Sequence, residues 1–419
     1  MSGDAYLEAA LRLGREIAGA AIWSGERCSW VGGMPDEGPS GIVMTYIAFG
    51  PDLYGGTAGV GLVLAELSDA CNDGEPELRR TALGALEHAL SRAEEVLPPS
   101  RLGAYAGQLG IALCAARAGV ALGEPRLVER AGGLVAGLDY ETEPLENDLI
   151  AGRAGGVLSL LALHRLGVEE AEPERAVALG RDLIAAAERD AVGWSWPSPS
   201  TPEQRNLTGL SHGAAGVGLA LLELHHASGE PEFRAAAEAA FAYERALYDP
   251  QARNWPDLRE QVLNDWPGEA EPPCATLWCH GAPGIALSRL RACELGGRNG
   301  CEEEARFALA TTAASVHAQL AGGNYSLCHG LAGNVEVLLE GAALLEADAL
   351  ALAHDVADAG IEHYLETDTQ WPLGVFDGQS DSLFVGLAGT AYFYLRLHDP
   401  ARPSVLLLRP ESFARRLAA

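Results

Sequence analysis

Seven apolar segments recur along the chain, and each one begins with two glycines in the pattern Gly-x-x-Gly. Their spacing is irregular, between 45 and 68 residues from one copy to the next. Behind the glycines, apolar residues cover most faces of each segment and proline is missing from the interior, which predicts buried helices. The glycine pairs are Gly56/Gly59, Gly107/Gly110, Gly152/Gly155, Gly213/Gly216, Gly281/Gly284, Gly330/Gly333 and Gly386/Gly389.

Charge-rich amphipathic segments of helix-forming composition alternate with the apolar ones, and they predict helices that face solvent. They cover residues 5–22, 76–97, 125–139, 172–190, 231–248, 302–320 and 347–366. Seven pairs of an outer and an inner helix predict an all-α fold, an α/α toroid of seven helical hairpins with inner and outer rings. We expect one domain over residues 1–419, with all the glycine motifs at one end, where the missing Cβ atoms let helices crowd and loops turn sharply.

The positions just before the first glycine differ between repeats, and there the sequence carries reactive side chains. The residues two positions before it are, in chain order, Tyr54, Tyr105, Ile150, Ser211, Cys279, Cys328 and Phe384. Immediately before it, the fourth, fifth and sixth repeats carry His212, His280 and His329. Because equivalent positions of neighbouring inner helices face one central cavity, we expect Cys279, Cys328 and His329 to converge. Two thiolates and one imidazole form a zinc set that leaves the fourth tetrahedral position open, and sulfur ligands disfavour magnesium, calcium and manganese. The alternative is a pair of buried thiols with a core histidine.

Composition narrows the functional classes. The formal net charge of −29 disfavours nucleic acid or an anionic membrane surface as a partner. No apolar run approaches the ~18 residues of a spanning helix, and the first residues lack the pattern of a signal peptide, so we expect a cytoplasmic protein without membrane contact. The eight cysteines are scattered, as is typical of reduced, buried thiols.

Three loops rich in proline and tryptophan precede the fourth, fifth and seventh motifs. They cover residues 193–206, 249–278, with Trp255, Trp266 and Trp278, and 370–382. We expect them to wall a deep pocket around the metal, since functional loops on a rigid scaffold commonly lie at one rim. The alternative is that they are solvated linkers, which their aromatic content disfavours.

Several motifs resemble those of the LanC-like lanthionine cyclases, over essentially the whole chain. They are the seven glycine pairs, Asp148-Leu149-Ile150-Ala151-Gly152, Ser211-His212-Gly213-Ala214-Ala215-Gly216, Trp278-Cys279-His280-Gly281-Ala282-Pro283-Gly284-Ile285 and Cys328-His329-Gly330. Segments 21–32 and 403–408 look most like the cyclase domains of multifunctional lanthipeptide synthetases. A stand-alone cyclase and an excised domain both fit the sequence.

The resemblance implies zinc on Cys279, Cys328 and His329, and closure of thioether rings in a dehydrated lanthipeptide precursor. A separate kinase/lyase or dehydratase would supply that precursor. After a peptide thiolate adds to dehydroalanine or dehydrobutyrine, the resulting enolate needs a proton, and we expect His212 to be the acid/base, with Asp148 as its charge partner. The alternatives are a hydrogen-bonded histidine at a helix start and an aspartate that caps a helix.

The surroundings of the predicted metal site differ from those in some members of the resembled family. His280 and Trp278 are expected to lie around it. Some stand-alone bacterial members carry an arginine four residues before the first zinc cysteine, where this chain has Ala275, and Arg153 is our candidate substitute.

Other functions fit the same expected fold. A LanC-like protein could add glutathione to dehydroamino acids, or a zinc-containing module could bind a peptide without catalysis, although His212 and Asp148 argue against a mere binder. An α/α-toroid glycosidase needs a pair of carboxylates at the pocket, and none recurs in the motif register.

Overall fold

A computed structural model describes residues 3–38, 41–72, 74–264, 272–296, 300–342, 344, 348–374 and 379–413. Trp266 and residues 375–378, which belong to the predicted rim loops, lie outside this part of the chain.

Seven inner helices begin at or directly behind the first glycine of each motif, as the apolar pattern predicts. Most of their residues are buried, because they face neighbouring helices on nearly all sides. They are α2 (Thr57–Ala70), α4 (Gln108–Leu122), α6 (Arg153–Arg165), α8 (Ala214–Ser228), α11 (Ala282–Glu294), α13 (Leu331–Glu340) and α15 (Leu387–His398).

Seven outer helices alternate with them and bury one face each. They are α1 (Gly3–Gly19), α3 (Pro76–Ser91), α5 (Pro125–Gly137), α7 (Pro173–Ala186), α9 (Pro231–Ala246), α12 (Cys301–Gln319) and α14 (Asp348–Gly360). Four of them start with proline, whose fixed φ suits the first turn of a helix. A π-helical turn, Ile361–Leu365, prolongs α14. The short α10 (Glu260–Asn264) lies in the loop before the fifth motif.

The described part of the chain also contains three small antiparallel hairpins, which the helical pattern did not predict. They pair β1 (Ile22–Ser24) with β2 (Arg27–Ser29), β3 (Val31–Gly38) with β4 (Gly41–Ala48), and β5 (Glu188–Arg189) with β6 (Trp194–Ser195). The β3–β4 register places Val31 opposite Ala48. Short turns of 3-10 helix occur at Ala93–Glu95, Pro98–Ser100 and Pro410–Phe413.

The inner helices form a closed ring. Each packs on the next one in chain order, and α15 packs back on α2, while every outer helix lies against an inner one. The predicted α/α toroid is therefore confirmed. No helix in the described ranges is both long and apolar enough to cross a membrane.

Backbone hydrogen bonds join the seven motif loops into a second ring at one end of the toroid. In each bond an N–H group of one loop donates to a carbonyl of the next loop, at 2.9 to 3.3 Å. The pairs are Tyr54 to Tyr105, Tyr105 to Ile150, Ile150 to Ser211, Ser211 to Cys279, Trp278 to Cys328, Cys328 to Phe384, and Phe384 to Tyr54. This ring fixes the register between repeats, and it therefore places the reactive positions of neighbouring loops side by side.

The motif glycines are required because each loop folds back onto the start of its own helix. A Cβ at Gly333 would lie 1.8 Å from the carbonyl oxygen of Leu327, and one at Gly284 would lie 2.2 Å from that of Trp278. At Gly284 the side chain of Leu210, in the neighbouring loop, would be only 2.6 Å away. Both expected reasons, the sharp turn and the crowding between repeats, thus apply.

Candidate metal centre and active site

Cys279, Cys328 and His329 lie together at the motif end of the toroid. Their possible ligand atoms are all within 4.8 Å of one another, and no other group of three such residues occurs in the described part of the chain. The Nε2 atom of His329 is 3.4 Å from the Sγ atom of Cys328. Around a tetrahedral zinc ion, ligand atoms would be roughly 3.5–3.8 Å apart, given Zn–S and Zn–N bonds of about 2.3 and 2.0 Å. Small side-chain movements would suffice for these three residues to hold zinc.

The two thiols influence each other's protonation. A hydrogen bond from Cys328 holds the pKa of Cys279 well below its ordinary value, with further help from His329. Burial raises the pKa of Cys328, and its hydrogen bond to Cys279 raises it further. Thiolate sulfur is the form that binds metal, so one of the two ligands is already favoured as a thiolate by its protein neighbours alone. The donor set of two sulfurs and one imidazole suits zinc.

Backbone contacts fix both cysteine loops. The N–H of Cys328 donates to the carbonyl oxygen of Phe384 at 2.9 Å, and the N–H of Leu277 donates to that of His280 at 3.1 Å, which closes a tight turn around Cys279. Gly281 ends this turn with φ of 88°, a conformation that favours glycine. Cys279 and Cys328 are only 6% and 1% exposed. The loops thus present buried sulfur atoms from a rigid backbone.

His212 and Asp148 form a second feature, and the structure brings them together. The Nδ1 atom of His212 lies 2.5 Å from Oδ2 of Asp148. The other carboxylate oxygen accepts a hydrogen bond from the Ala151 N–H at 2.7 Å, so Asp148 is held in place by its own loop. The His212 side chain is 40% exposed. Since Nδ1 is engaged, Nε2 is the nitrogen that is free to exchange a proton.

The charge state of His212 depends on this pair. Burial alone would lower the pKa of His212, but the charge of Asp148 and its hydrogen bond raise it above the ordinary value of 6.5. A raised pKa keeps a larger fraction of the imidazole protonated near neutral pH. The pair is therefore suited to donate a proton.

His280 stacks on His212, with ring centroids 6.0 Å apart. It is 2% exposed, its Nδ1 atom is 4.0 Å from Oδ1 of Asp257, and burial lowers its pKa to about 4. His280 thus lies at the site in the neutral form, as a neighbour of both the cysteines and His212.

A cavity of about 320 Å³ opens beside the His212–Asp148 pair. Its wall includes Trp196, Arg205 and other residues of the loop before the fourth motif, together with Arg259 from the loop before the fifth. Two of the three predicted rim loops contribute to this wall, but Cys279, Cys328 and His329, around which the pocket was expected, are not among its lining residues. The loop before the seventh motif instead lines a separate cavity of about 470 Å³, with α1 and the β3–β4 hairpin.

Two residues that were expected around the metal site, Trp278 and Arg153, make their contacts elsewhere. Trp278 is fully buried and does not line the cavity: its Nε1 donates to the carbonyl oxygen of Leu406 at 3.1 Å, in the buried C-terminal segment. Arg153 donates to the carbonyl oxygen of Leu145 at 2.9 Å and to the carboxylate of Glu143. These hydrogen bonds hold the Arg153 side chain against its own loop, so the structure does not bring it to the cysteines.

The arginine that the structure does bring to the site is Arg259, which the sequence analysis missed. It lies in the cavity wall with His212 and Asp148. Its pair with Asp257 is encoded in the local sequence Asp257-Leu258-Arg259, but that loop follows no repeat register, so its position could not be inferred.

Comparison with known proteins places this geometry in context. A family model described as "Lanthionine synthetase C-like protein" matches residues 48–407. A relative from Danio rerio, named "Glutathione S-transferase LANCL1", is 24% identical over 271 residues, which cover 62% of this chain and 60% of that protein. The chain thus spans less than two thirds of that relative's length. The solved structure of "Nisin cyclase" matches with a TM-score of 0.59 and 19% identity, over 87% of this chain and 91% of the other. At that identity the likeness supports the fold.

Proposed function

The chain belongs to the lanthionine synthetase C-like family, and from this premise we propose that it is a zinc-dependent lanthipeptide cyclase. It would join cysteine thiolates of a peptide to dehydroalanine or dehydrobutyrine residues of the same peptide, forming lanthionine and methyllanthionine rings. The observation that carries the proposal is that the cluster of Cys279, Cys328 and His329 lies beside the His212–Asp148 pair. The N–H of Ser211 donates to the carbonyl oxygen of Cys279, and the His212 ring stacks on that of His280. A ligand set with one open position and a nearby proton donor are the two parts that this addition requires.

Zinc bound by Cys279, Cys328 and His329 would supply Lewis-acid chemistry that lowers the pKa of a substrate thiol. The protein's own residues account for the proton that the reaction consumes. As the S–Cβ bond forms, the Cα=Cβ π bond breaks and its electron pair moves onto the Cα–carbonyl unit as an enolate. His212 donates a proton from Nε2 to Cα, and Asp148 stabilises the imidazolium from which that proton comes. The proton released by the thiol balances the one taken up, so the peptide mass is unchanged.

A second candidate is intermolecular: addition of glutathione to dehydroamino acids. The name of the Danio rerio relative favours it, and the same residues would serve. The two functions differ in the source of the thiol. The cyclase takes the thiol from the peptide that holds the dehydroamino acid, whereas the transferase takes it from a free tripeptide.

A competition experiment separates them. A dehydrated peptide with one cysteine is incubated with the zinc-loaded protein and glutathione, and the products are analysed by mass spectrometry after thiol alkylation. The cyclase proposal expects the unalkylated peptide at unchanged mass. A product heavier by one glutathione would support the transferase instead.

The partners follow from the chemistry. The substrate must already contain dehydroamino acids, so a separate kinase/lyase or dehydratase would act on the precursor first. We propose that both steps take place in the cytoplasm, without a nucleic acid or a membrane as partner.

A further inference from the structure

Arg259 is anchored along one edge of its guanidinium group, which leaves the other edge available. Its Nε donates to Oδ1 of Asp257 at 2.9 Å, and its Nη2 donates to Oδ2 at 2.6 Å. Among the residues that the structure describes, Nη1 has no hydrogen-bond partner. The side chain is 26% exposed and lies in the wall of the cavity that also contains His212 and Asp148. Nη1 is therefore the guanidinium nitrogen that Asp257 leaves for a molecule in that cavity.

The anchor itself is rigid. Asp257 is only 4% exposed, and its N–H donates to the carbonyl oxygen of Pro273 at 2.9 Å. The preceding carbonyl, on Pro256, accepts a hydrogen bond from the Thr208 hydroxyl at 2.7 Å, which ties this loop to the start of the fourth motif. The paired, parallel hydrogen bonds to Asp257 also fix the plane of the guanidinium. Its orientation is thus set before any substrate binds.

The charge environment keeps Arg259 a cation beside the cysteines. Burial would lower its pKa, but the hydrogen bond and the charge of Asp257 raise the pKa overall. A fixed positive group in a partly closed cavity is effective where negative charge develops during a reaction, because the protein does not have to reorganise. The negative charge developed in thiol addition is on the enolate oxygen.

We propose that Arg259 is a further catalytic residue of this reaction: its Nη1–H donates to the carbonyl oxygen of the dehydroamino acid and stabilises the enolate. The inference rests on the cyclase function proposed above. As the S–Cβ bond forms, the π electron pair moves toward that oxygen, and the hydrogen bond from Arg259 stabilises the negative charge that develops there. When His212 protonates Cα, the pair returns to form the Cα–H bond, and Arg259 keeps its own protons throughout.

The test compares Arg259→Gln and Arg259→Lys with the wild type and with Arg126→Gln, which removes an exposed arginine from α5, outside this site. The measurements are kcat and KM on a dehydrated peptide with one cysteine, zinc content, and the visible spectrum of the cobalt(II)-substituted protein. We expect Arg259→Gln to lower kcat by ~10²–10³, the usual effect of losing one oxyanion donor, with KM, zinc content and spectrum unchanged. Arg259→Lys should recover part of the rate, because lysine keeps the positive charge but lacks the planar guanidinium that makes paired hydrogen bonds to Asp257. Arg126→Gln should match the wild type.

Three results would overturn the inference. A kcat within a few-fold of wild type in Arg259→Gln would show that the group is not needed. A rise in KM alone would make it a substrate-binding residue, and loss of zinc or an altered cobalt spectrum would make it a support of the metal site. Failure of the wild type to close rings is a separate result, since it is seen before any variant is compared, and it would reject the cyclase proposal and this inference together.

Discussion

The N–H of Trp278 donates a hydrogen bond to the carbonyl oxygen of Cys328 at 3.1 Å. This bond belongs to the closed ring that joins the seven motif loops, and it holds Cys279 next to Cys328. Because the ring consists of backbone groups, side chains at the candidate site can be replaced without removing what aligns the repeats. Variants of the reactive residues should therefore remain folded and report on chemistry.

Purified protein should contain about one zinc ion per chain. Cys279→Ala, Cys328→Ala and His329→Ala should each lose it while keeping the helical circular dichroism spectrum, since packing already holds the helices. Elemental analysis after removal of loosely bound metal measures this. Cys293→Ala, which removes a half-buried thiol of α11 outside the cluster, is the matched control and should keep its zinc. Stoichiometric zinc in Cys328→Ala would refute the assignment.

His212→Asn should keep zinc and lose most of the ring closure. The expected loss is ~10²–10⁴-fold, as is typical when a general acid is removed. His226→Asn removes an exposed histidine near the end of α8, the helix that follows the loop of His212, and this variant should react at the wild-type rate. If His212→Asn also closes rings at that rate, the proton comes from another group.

The rate should fall as the pH rises through the pKa of His212. Asp148 raises that pKa above 6.5, and the protonated imidazole is the active form, so activity is retained below the raised pKa and lost above it. In Asp148→Asn the charge and the charged hydrogen-bond partner that raise the pKa of His212 are lost, so that pKa falls. The descending limb of the kcat profile should then move to lower pH. An unchanged limb would show that another group supplies the proton.

Gly333→Ala should destabilise the fold, because the new Cβ would lie 1.8 Å from the carbonyl oxygen of Leu327. Relief of such a contact costs on the order of 1–3 kcal/mol when the backbone must shift. Thermal or denaturant unfolding measures it. Gly322→Ala is the matched control in the preceding turn: a Cβ there meets nothing within 4 Å, and stability should change by less than about 0.5 kcal/mol. Equal stability of both variants would contradict the packing role of the motif.

The repeat pattern predicted the ring and the position of its reactive residues. Period and register are properties of the sequence itself, so the equivalence of Cys279 and Cys328 could be inferred before their loops were seen to be hydrogen-bonded neighbours. The pairing of His212 with Asp148 was instead expected from the family resemblance, and the ring of motif loops makes their two loops neighbours.

Features outside the register could not be inferred in this way. Arg259 owes its position to long-range contacts, such as the bond from Asp257 to Pro273, which no local pattern encodes. Trp278 packs toward the buried C-terminal segment because its Nε1–H donates a hydrogen bond to the carbonyl oxygen of Leu406. The three β-hairpins pair strands that are close in the chain, and a search for helical periodicity does not detect them.

The most direct test of the central claim is the fate of thiols in a dehydrated, cysteine-containing precursor incubated with the zinc-loaded protein and no other thiol. The account predicts that free thiols disappear while the peptide mass stays constant. Tandem mass spectrometry should then locate thioether crosslinks between cysteine and former dehydroamino acid positions. Cys328→Ala should leave the thiols free, and the precursor without dehydroamino acids should be inert. A wild-type protein that holds zinc but leaves the thiols of the dehydrated precursor unreacted would contradict the account.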